Sequence, residues 1–128
     1  MLSRGLISGH WTKGTTGPGD FRTHSPRFQG DNVDKNLALV EALQKIAASK
    51  GVTVAQIAIA WVAAQGEDII PVIGARRRDR LSEALGALDV KLTSEDLDAI
   101  ENAVPKGAGA GTRYAEAQMA HLDSEVHG

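Results

Sequence analysis

The sequence predicts an α/β fold, and three observations predict it. Residues 68–74, DIIPVIG, form a short apolar run without alternation, which suits a parallel strand covered on both faces. Four other stretches repeat their apolar residues at helical spacing. The order of elements is strand end, long loop, two helices, strand, two helices, tail, which alternates the two kinds of structure as layered α/β domains do. Two strands, however, cannot occupy the apolar faces of four helices, and a parallel sheet needs both faces covered and its edges managed. The chain reads as part of a larger layered domain.

Residues 1–9 open with Leu2 to Ile7, an apolar fragment interrupted by Ser3, Arg4 and Gly5, expected to be a strand end passing into a turn. Residues 10–31 are dense in Gly, Pro, Thr and Ser, and a connection longer than ~12 to 15 residues is usually functional or disordered. Residues 32–104 hold the helices and the final strand. Val33, Leu37, Val40 and Leu43 mark one amphipathic helix, widened by Leu39 and Ile46, with Gly51 able to close it. Thr53 and Gln56 stand at capping-box spacing before TVAQIAIAWVAAQG, which is apolar nearly throughout and so predicts a helix buried on most sides. Pro71 tempers the strand at DIIPVIG, because it removes a ladder donor. Leu81, Leu85 and Leu88 predict a third amphipathic helix from about Arg78 to Leu88. Thr93 caps the fourth, with Asp96 three residues on and Leu97, Ile100 and Val104 as its stripe before Pro105. Residues 105–128 are a glycine-rich tail.

At 128 residues the chain fits one small domain, and a domain of that size buries roughly two-thirds of the surface its unfolded chain exposes. A charged fraction of 23% beside 42% hydrophobic residues separates it from disordered and membrane-spanning chains. The formal net charge of −2 argues against a surface that attracts nucleic acid or anionic lipid as a whole, so any anion site must come from local clustering. The absence of cysteine removes disulfides and thiolate metal sites. With no secretory pattern at the N-terminus and no window near ~18 apolar residues, a soluble cytoplasmic protein is expected.

The one dense cluster is PVIGARRRDR, residues 71–80, where an apolar run gives way to Arg76, Arg77, Arg78 and Arg80. A helix N-terminus carries partial positive charge and unpaired amides, so arginines there are unfavourable by a few tenths of a kcal/mol each, about what an anion would repay. Gly74 directly after a strand lets amides approach a ligand, and such turns hold phosphates. The ordinary alternative is solvated arginine stems with Asp79 and Glu83 as partial partners, and the run alone does not decide between them.

Other chemistries find less support. There is no G-x-G-x-x-G turn, and between Gly9 and Gly14 the lysine stands before the second glycine rather than after it. His10, His24, His121 and His127 stand singly in loops or tail without zinc-ligand spacing and read as solvated. Ser3, Ser8 and Ser25 lack a nucleophile elbow. Glu95, Asp96, Asp98 and Glu101 read as a solvated helix face, and Trp61 as core. Trp11, Phe21 and Phe28 could line an apolar pocket from the long loop, and Tyr114 reads as a surface tail residue.

Taken together, LSRGLISG, DFRTHSPRFQGDNVDKNLALVEAL, the block from Gly51 to Leu97 and GTRYAEAQM resemble the C-terminal portion of the aldo-keto reductase family. The resemblance covers nearly the whole chain. It implies a half-barrel fragment of a (β/α)8 TIM barrel, a fold of ~250 residues whose sites sit at the C-terminal ends of its strands, with LSRGLI and DIIPVIG as the last two strands. It places Leu2, Ser3, Arg4 and Gly5 along the pyrophosphate of an NADP(H) cofactor. It places Gly74, Ala75 and Arg76 at the adenosine ribose and its 2′-phosphate, and Arg80, Glu83 and Ala84 at phosphate and adenine. Arg76 and Arg80 are the residues expected to matter most, with Arg77 and Arg78 as bystanders. Ala75 and Ala84 depart from the family's frequent Ser or Thr and Asn, which implies a weaker grip. The family's catalytic Asp, Tyr, Lys and His fall in the first half of the barrel, so no catalytic residue is expected here, and Tyr114 is not a substitute.

Three functions follow as expectations. The first is an NADP(H)-dependent oxidoreductase present as its cofactor-binding part, truncated or read from an internal start, and acting on an aldehyde or ketone only within a full barrel. The second is a non-catalytic half-barrel that self-associates through open sheet edges. The third, a nucleic-acid binder using RRRDR, has least behind it, since no aromatics interleave the arginines.

Overall fold

The longest periodic stretch of sequence becomes the longest helix. In a computed structural model, which describes residues 2–122, α1 spans Gly30–Ser49 and buries Val33, Asn36, Val40, Leu43 and Ala47 along one face. It closes as the sequence predicts. Gly51 takes a left-handed φ of 67°, its N–H donates to the Ala48 carbonyl at 3.1 Å, and the Val52 N–H donates to the Ala47 carbonyl at 3.0 Å. That pair of bonds satisfies the last carbonyls of α1 and turns the chain into α2, which spans Val54–Ala63. The two axes meet at 88°.

At the start of α2 the expected capping box forms: the Gln56 N–H donates to Thr53 Oγ1 at 3.2 Å, and the Thr53 N–H donates to Gln56 Oε1 at 3.0 Å. Thr93 and Asp96 repeat the device at α4, Ser94–Ala103. Lys50, at the end of α1, then grips Asp96 at 2.5 Å and fastens α4 to the corner. Hydrogen bonding from Lys50 holds the Asp96 carboxyl below its ordinary range.

Two apolar clusters share α2. Val54 and Ile57 belong to the larger one, with Leu6, Trp11, Val33, Val40, Leu43, Ala47 and Ile100. Ile59 belongs to the other, with Ala84 of α3 (Arg78–Leu85) and Ala87 of the 3-10 turn Gly86–Asp89. Alanines at 84 and 87 let α3 approach α2 closely. Trp61 packs against the larger cluster as expected, although only partly buried. A short α5, Glu116–Met119, lies in the tail.

Several expectations are corrected. Among the described residues there is no strand. LSRGLI folds instead as the irregular 3-10 segment Ser3–Ser8, with left-handed φ at Ser3, Arg4 and Gly5. DIIPVIG runs on without forming a helix or a ladder. The reason is physical: a parallel strand's hydrogen bonds lie entirely with its neighbours, and neither stretch has a neighbouring strand. Of the alternating strands and helices expected, the described residues form only the helices. The third helix ends at Leu85 rather than Leu88, and its leucine stripe faces outward, with Leu81, Leu85 and Leu88 all exposed. Among the described residues no layer covers that side, and α3 is anchored through Ala84. The long loop 10–31 is ordered by two 3-10 turns, Phe21–His24 and Pro26–Phe28. Met1 and residues 123–128, including His127, lie outside the described residues.

The tail is tied back by Asn36. Its amide donates to the Arg27 carbonyl at 3.0 Å and the Ala110 carbonyl at 2.8 Å, and its Oδ1 accepts from the Ala110 N–H at 2.7 Å. The side chain is 2% exposed, so all three bonds are made away from water. Replacing Asn36 by Ala would remove all three bonds from part-buried backbone groups, and is expected to cost about 1–3 kcal/mol in urea unfolding. Proteolysis at residues 109–112 should accelerate in the same variant, because the clamp on the tail is gone.

Candidate functional site

Two turns far apart in sequence face each other across α2. The 3-10 segment supplies Leu2, Arg4 and Gly5; the end of the extended stretch supplies Gly74; α3 supplies Arg80, Glu83 and Ala84. All seven line one open cleft of about 390 Å³. Three other residues expected to belong with them do not line it. Ser3 turns into neighbouring clefts, and Ala75 and Arg76 are exposed next to Gly74.

One residue that sequence reading dismissed sits at the centre. His10 Nε2 lies 2.9 Å from Glu83 Oε2 and also contacts Arg80 Nη1. Arg80 Nη1 in turn donates to Glu83 Oε2 at 3.3 Å. With a proton on Nε2 the imidazole donates to the carboxylate; in the other tautomer it accepts from the guanidinium. Ser8 steadies this residue, since its hydroxyl donates to the Gly5 carbonyl at 2.5 Å and accepts from the His10 N–H at 3.2 Å. No motif signalled the contact: the partners are 73 positions apart.

Glu83 is the electrostatic pivot. Burial by itself pushes its carboxyl up, but hydrogen bonds from His10 and Thr53, with His10 and Arg80 nearby, outweigh burial and leave it below its ordinary value of 4.5. From α2, Gln56 Nε2 donates to the Glu83 carbonyl at 2.9 Å, so the capping-box residue of one helix also fixes the acid of the next. A Cβ at Gly86 would collide with that Gln56 amide, which explains the glycine one turn below.

Gly74, at the edge of the cleft, offers a feature that suits an anionic ligand, and Ala75 and Arg76 extend it beyond the lining. A Cβ added at Gly74 would meet nothing within 4 Å, and the backbone N–H groups of Gly74, Ala75 and Arg76 have no partner among the described residues. Free amides before a helix start, with a guanidinium one turn along, suit a phosphate. Across the cleft, Gly5 has φ of 93°, and an added Cβ would lie 3.5 Å from the Arg22 guanidinium. Arg22 is itself engaged by Asp20, whose carboxyl its hydrogen bonds pull down to about 2. Arg77 is occupied locally by Asp79, at 2.8 and 2.9 Å. These contacts leave Arg80 as the cation that lines the cleft from α3.

The aromatic residues divide. Trp11 is buried edge-on against Phe28, with ring centroids 5.0 Å apart; Trp11 belongs to the core, whereas Phe28 is only partly buried and also lines a cleft with Arg4 and Tyr114. Phe21 stays half-exposed beside the Arg4 guanidinium. Tyr114, read from sequence as a surface tail residue, stacks on Arg4 as well, 4.4 Å from ring centroid to guanidinium.

Residues 2–105 match the aldo/keto reductase family model. The chain belongs to that family. Among individual relatives, an aldo-keto reductase yakc [NADP(+)] of Schizosaccharomyces pombe is 40% identical over 114 residues, covering 88% of this chain and 34% of that protein. A probable aldo-keto reductase 1 of Glycine max is 40% identical over 113 residues, covering 88% and 33%. The aldo-keto reductase str7 of Strobilurus tenacellus is 34% identical over 124 residues, covering 96% and 37%. The chain thus spans about a third of the length of the curated relatives it matches, nearer a third than the half-barrel the resemblance implied. For this aldo-keto reductase chain the cleft makes a pH-dependent contribution to stability. Because the folded Glu83 carboxyl lies below its unfolded value, its contribution is complete above about pH 4.5 and is lost as pH falls through the lower folded value. Thermal unfolding midpoints are expected to fall on acidification below 4.5, and Glu83→Gln should flatten that part of the profile.

Proposed function

We propose that this chain is the NADP(H)-binding portion of an aldo-keto reductase. The observation that carries the reading is the convergence of the Arg4–Gly5 turn and the Gly74-to-Arg80 turn on one cleft, in a chain of this family. The name of the Schizosaccharomyces pombe relative, which specifies NADP(+), supports the choice of cofactor.

Each residue has a task in this reading. Arg80 meets the 2′-phosphate of the adenosine ribose, with the free amide of Gly74 beside it in the cleft and those of Ala75 and Arg76 just outside its lining. Arg76, exposed at the mouth, adds long-range attraction. Gly5 and the left-handed turn around it, formed by Leu2, Ser3 and Arg4, let the backbone run close to the pyrophosphate. Ala84 faces the adenine with little side chain, so the grip there is loose. Arg80 and His10 both bond the Glu83 carboxylate, which offsets its repulsion of the phosphate.

The bound cofactor supplies a hydride to an aldehyde or ketone. The proton for that reduction comes from an acid on the part of the barrel that this chain does not carry, as does the rest of the family's catalytic set. Carbonyl substrate is therefore engaged only where the full barrel is assembled. The cytoplasm, where NADPH is abundant and cysteine-free chains are at home, is the proposed location.

One observation favours a second reading, self-association without catalysis. Ile70 and Leu88 are exposed at 84% and 80% and line one apolar groove with Leu85, of a kind that isolated soluble chains rarely leave open.

Calorimetry on the purified chain separates the two. NADPH is expected to bind about tenfold more tightly than NADH, with the advantage shrinking at high salt and in Arg80→Gln, as for one charge-assisted phosphate contact. No NADPH oxidation is expected with a broad aldehyde panel. Equal affinity for the two cofactors, or turnover by the chain alone, would contradict the proposal; a dimeric native mass with no cofactor binding would favour self-association.

A further inference from the structure

We infer that His10 is a proton-operated latch on Arg80. The neutral imidazole holds the guanidinium, the protonated imidazole releases it, and the preference for a cofactor with a 2′-phosphate therefore strengthens on acidification. The latch serves the cofactor site proposed above, on which it rests. His10 is a positioning residue in this role, since it reaches the phosphate only through Arg80.

The geometry sets two demands against each other. His10 Nε2 lies 3.1 Å from Glu83 Oε1 and 2.9 Å from Glu83 Oε2, and it also contacts Arg80 Nη1. A ring nitrogen carries either a lone pair or a proton. With the lone pair, Nε2 accepts from Arg80 and has nothing to donate to the carboxylate. With the proton, it donates to Glu83 and turns a donor toward a donor, so the guanidinium must move. The neutral ring has both arrangements open to it; the imidazolium, protonated on both nitrogens, has only the second.

Charge acts in the same direction. Arg80 Nη1 donates to Glu83 Oε2 at 3.3 Å, so beside a neutral imidazole the guanidinium and the carboxylate cancel and the cluster presents no net charge. Protonated His10 takes the same carboxylate by the shorter bond and repels the guanidinium next to it. One positive charge is then left over, on a side chain that lines the cleft. The side chains of His10 and Arg80 are each 38% exposed and have room to turn, while Glu83, at 15%, stands on backbone held by Gln56.

The charged groups around the cluster are otherwise committed or constant. Asp79 lies 4.0 Å from Arg80 Nε but is paired with Arg77 at 2.8 Å. Arg22, beside Gly5, is held by Asp20, and Lys13 by Asp34. Arg4 lines the same cleft and Arg76 stands exposed at its mouth, and guanidinium groups keep their charge. From α2 comes no titratable side chain, and Thr53 at its cap only bonds Glu83, whose carboxyl stays ionised above 4.5. Imidazole is the side chain that exchanges a proton between about pH 5 and 8, so among these groups it alone changes charge there.

Calorimetry of the whole chain with NADP+ and NAD+ between about pH 5.5 and 8 tests the latch. The 2′-phosphate itself gains a proton near about pH 6, which weakens its own contact, so His10→Gln serves as the baseline. Relative to that variant, the wild-type ratio of NADP+ to NAD+ affinity is expected to rise about fivefold across the range on acidification, as for one added charge near a partly exposed phosphate. His10→Lys, a permanent cation, should keep the high ratio at the alkaline end. Coincident profiles for the wild type and His10→Gln, or a relative ratio that rises with pH, would overturn the latch. A second readout needs no cofactor: in the ligand-free chain the Arg80 side-chain nitrogen resonance should shift over the same pH range, and stay fixed in His10→Gln. Should NADP+ fail to bind at any pH, the cofactor reading falls; an Arg80 resonance that stays fixed in the wild type then overturns the latch too, and one that moves only when His10 is present sustains it.

Discussion

Everything in this structure leans on α2. Ile57, fully buried, belongs to one apolar cluster; Ile59, two positions later, belongs to the other. A helix buried on two sides cannot shift without disturbing both, and burying one isoleucine side chain stabilises by about 1.5–3 kcal/mol. The polar end of α2 is under the same constraint, because Gln56 completes the capping box and also holds the Glu83 carbonyl. The first turn and α3 both pack on this one rigid element. Their side chains therefore meet across the cleft in a fixed relation, although they come from opposite ends of the fold.

What the sequence made legible was local. Thr53 with Gln56, Thr93 with Asp96, and Gly51 after α1 each act within one turn, and each behaves as its spacing predicts. Leu2, Arg4, Gly5, Gly74, Arg80, Glu83 and Ala84 were legible as a set because the resemblance placed them together. His10 and Asn36 were not, since their roles come from partners more than 70 positions away. The strands failed for a related reason. An apolar run states that a segment is to be covered, and only a neighbouring strand makes it part of a sheet. The outward leucines of α3 follow the same rule: periodicity names a face, and what covers the face is decided elsewhere.

The arginines now divide by partner. Arg22 and Arg77 are absorbed by a carboxylate two residues away, and Arg80 shares Glu83 with His10 at the proposed cofactor cleft. Arg4 is fixed by aromatic rings and neutral oxygens instead. Pairing thus removes some cations from the field of a chain of modest net charge and leaves others to shape it.

The account's central claim is that Arg80, held by Glu83 and His10, faces the adenosine phosphate of the cofactor. The most direct measurement is phosphorus magnetic resonance of NADPH titrated with the chain, because the 2′-phosphate and the pyrophosphate give separate signals. The account predicts that the 2′-phosphate signal shifts on binding and that Arg80→Gln abolishes most of this shift. A complex in which that signal stays at its free position, or shifts equally in Arg80→Gln, would contradict it.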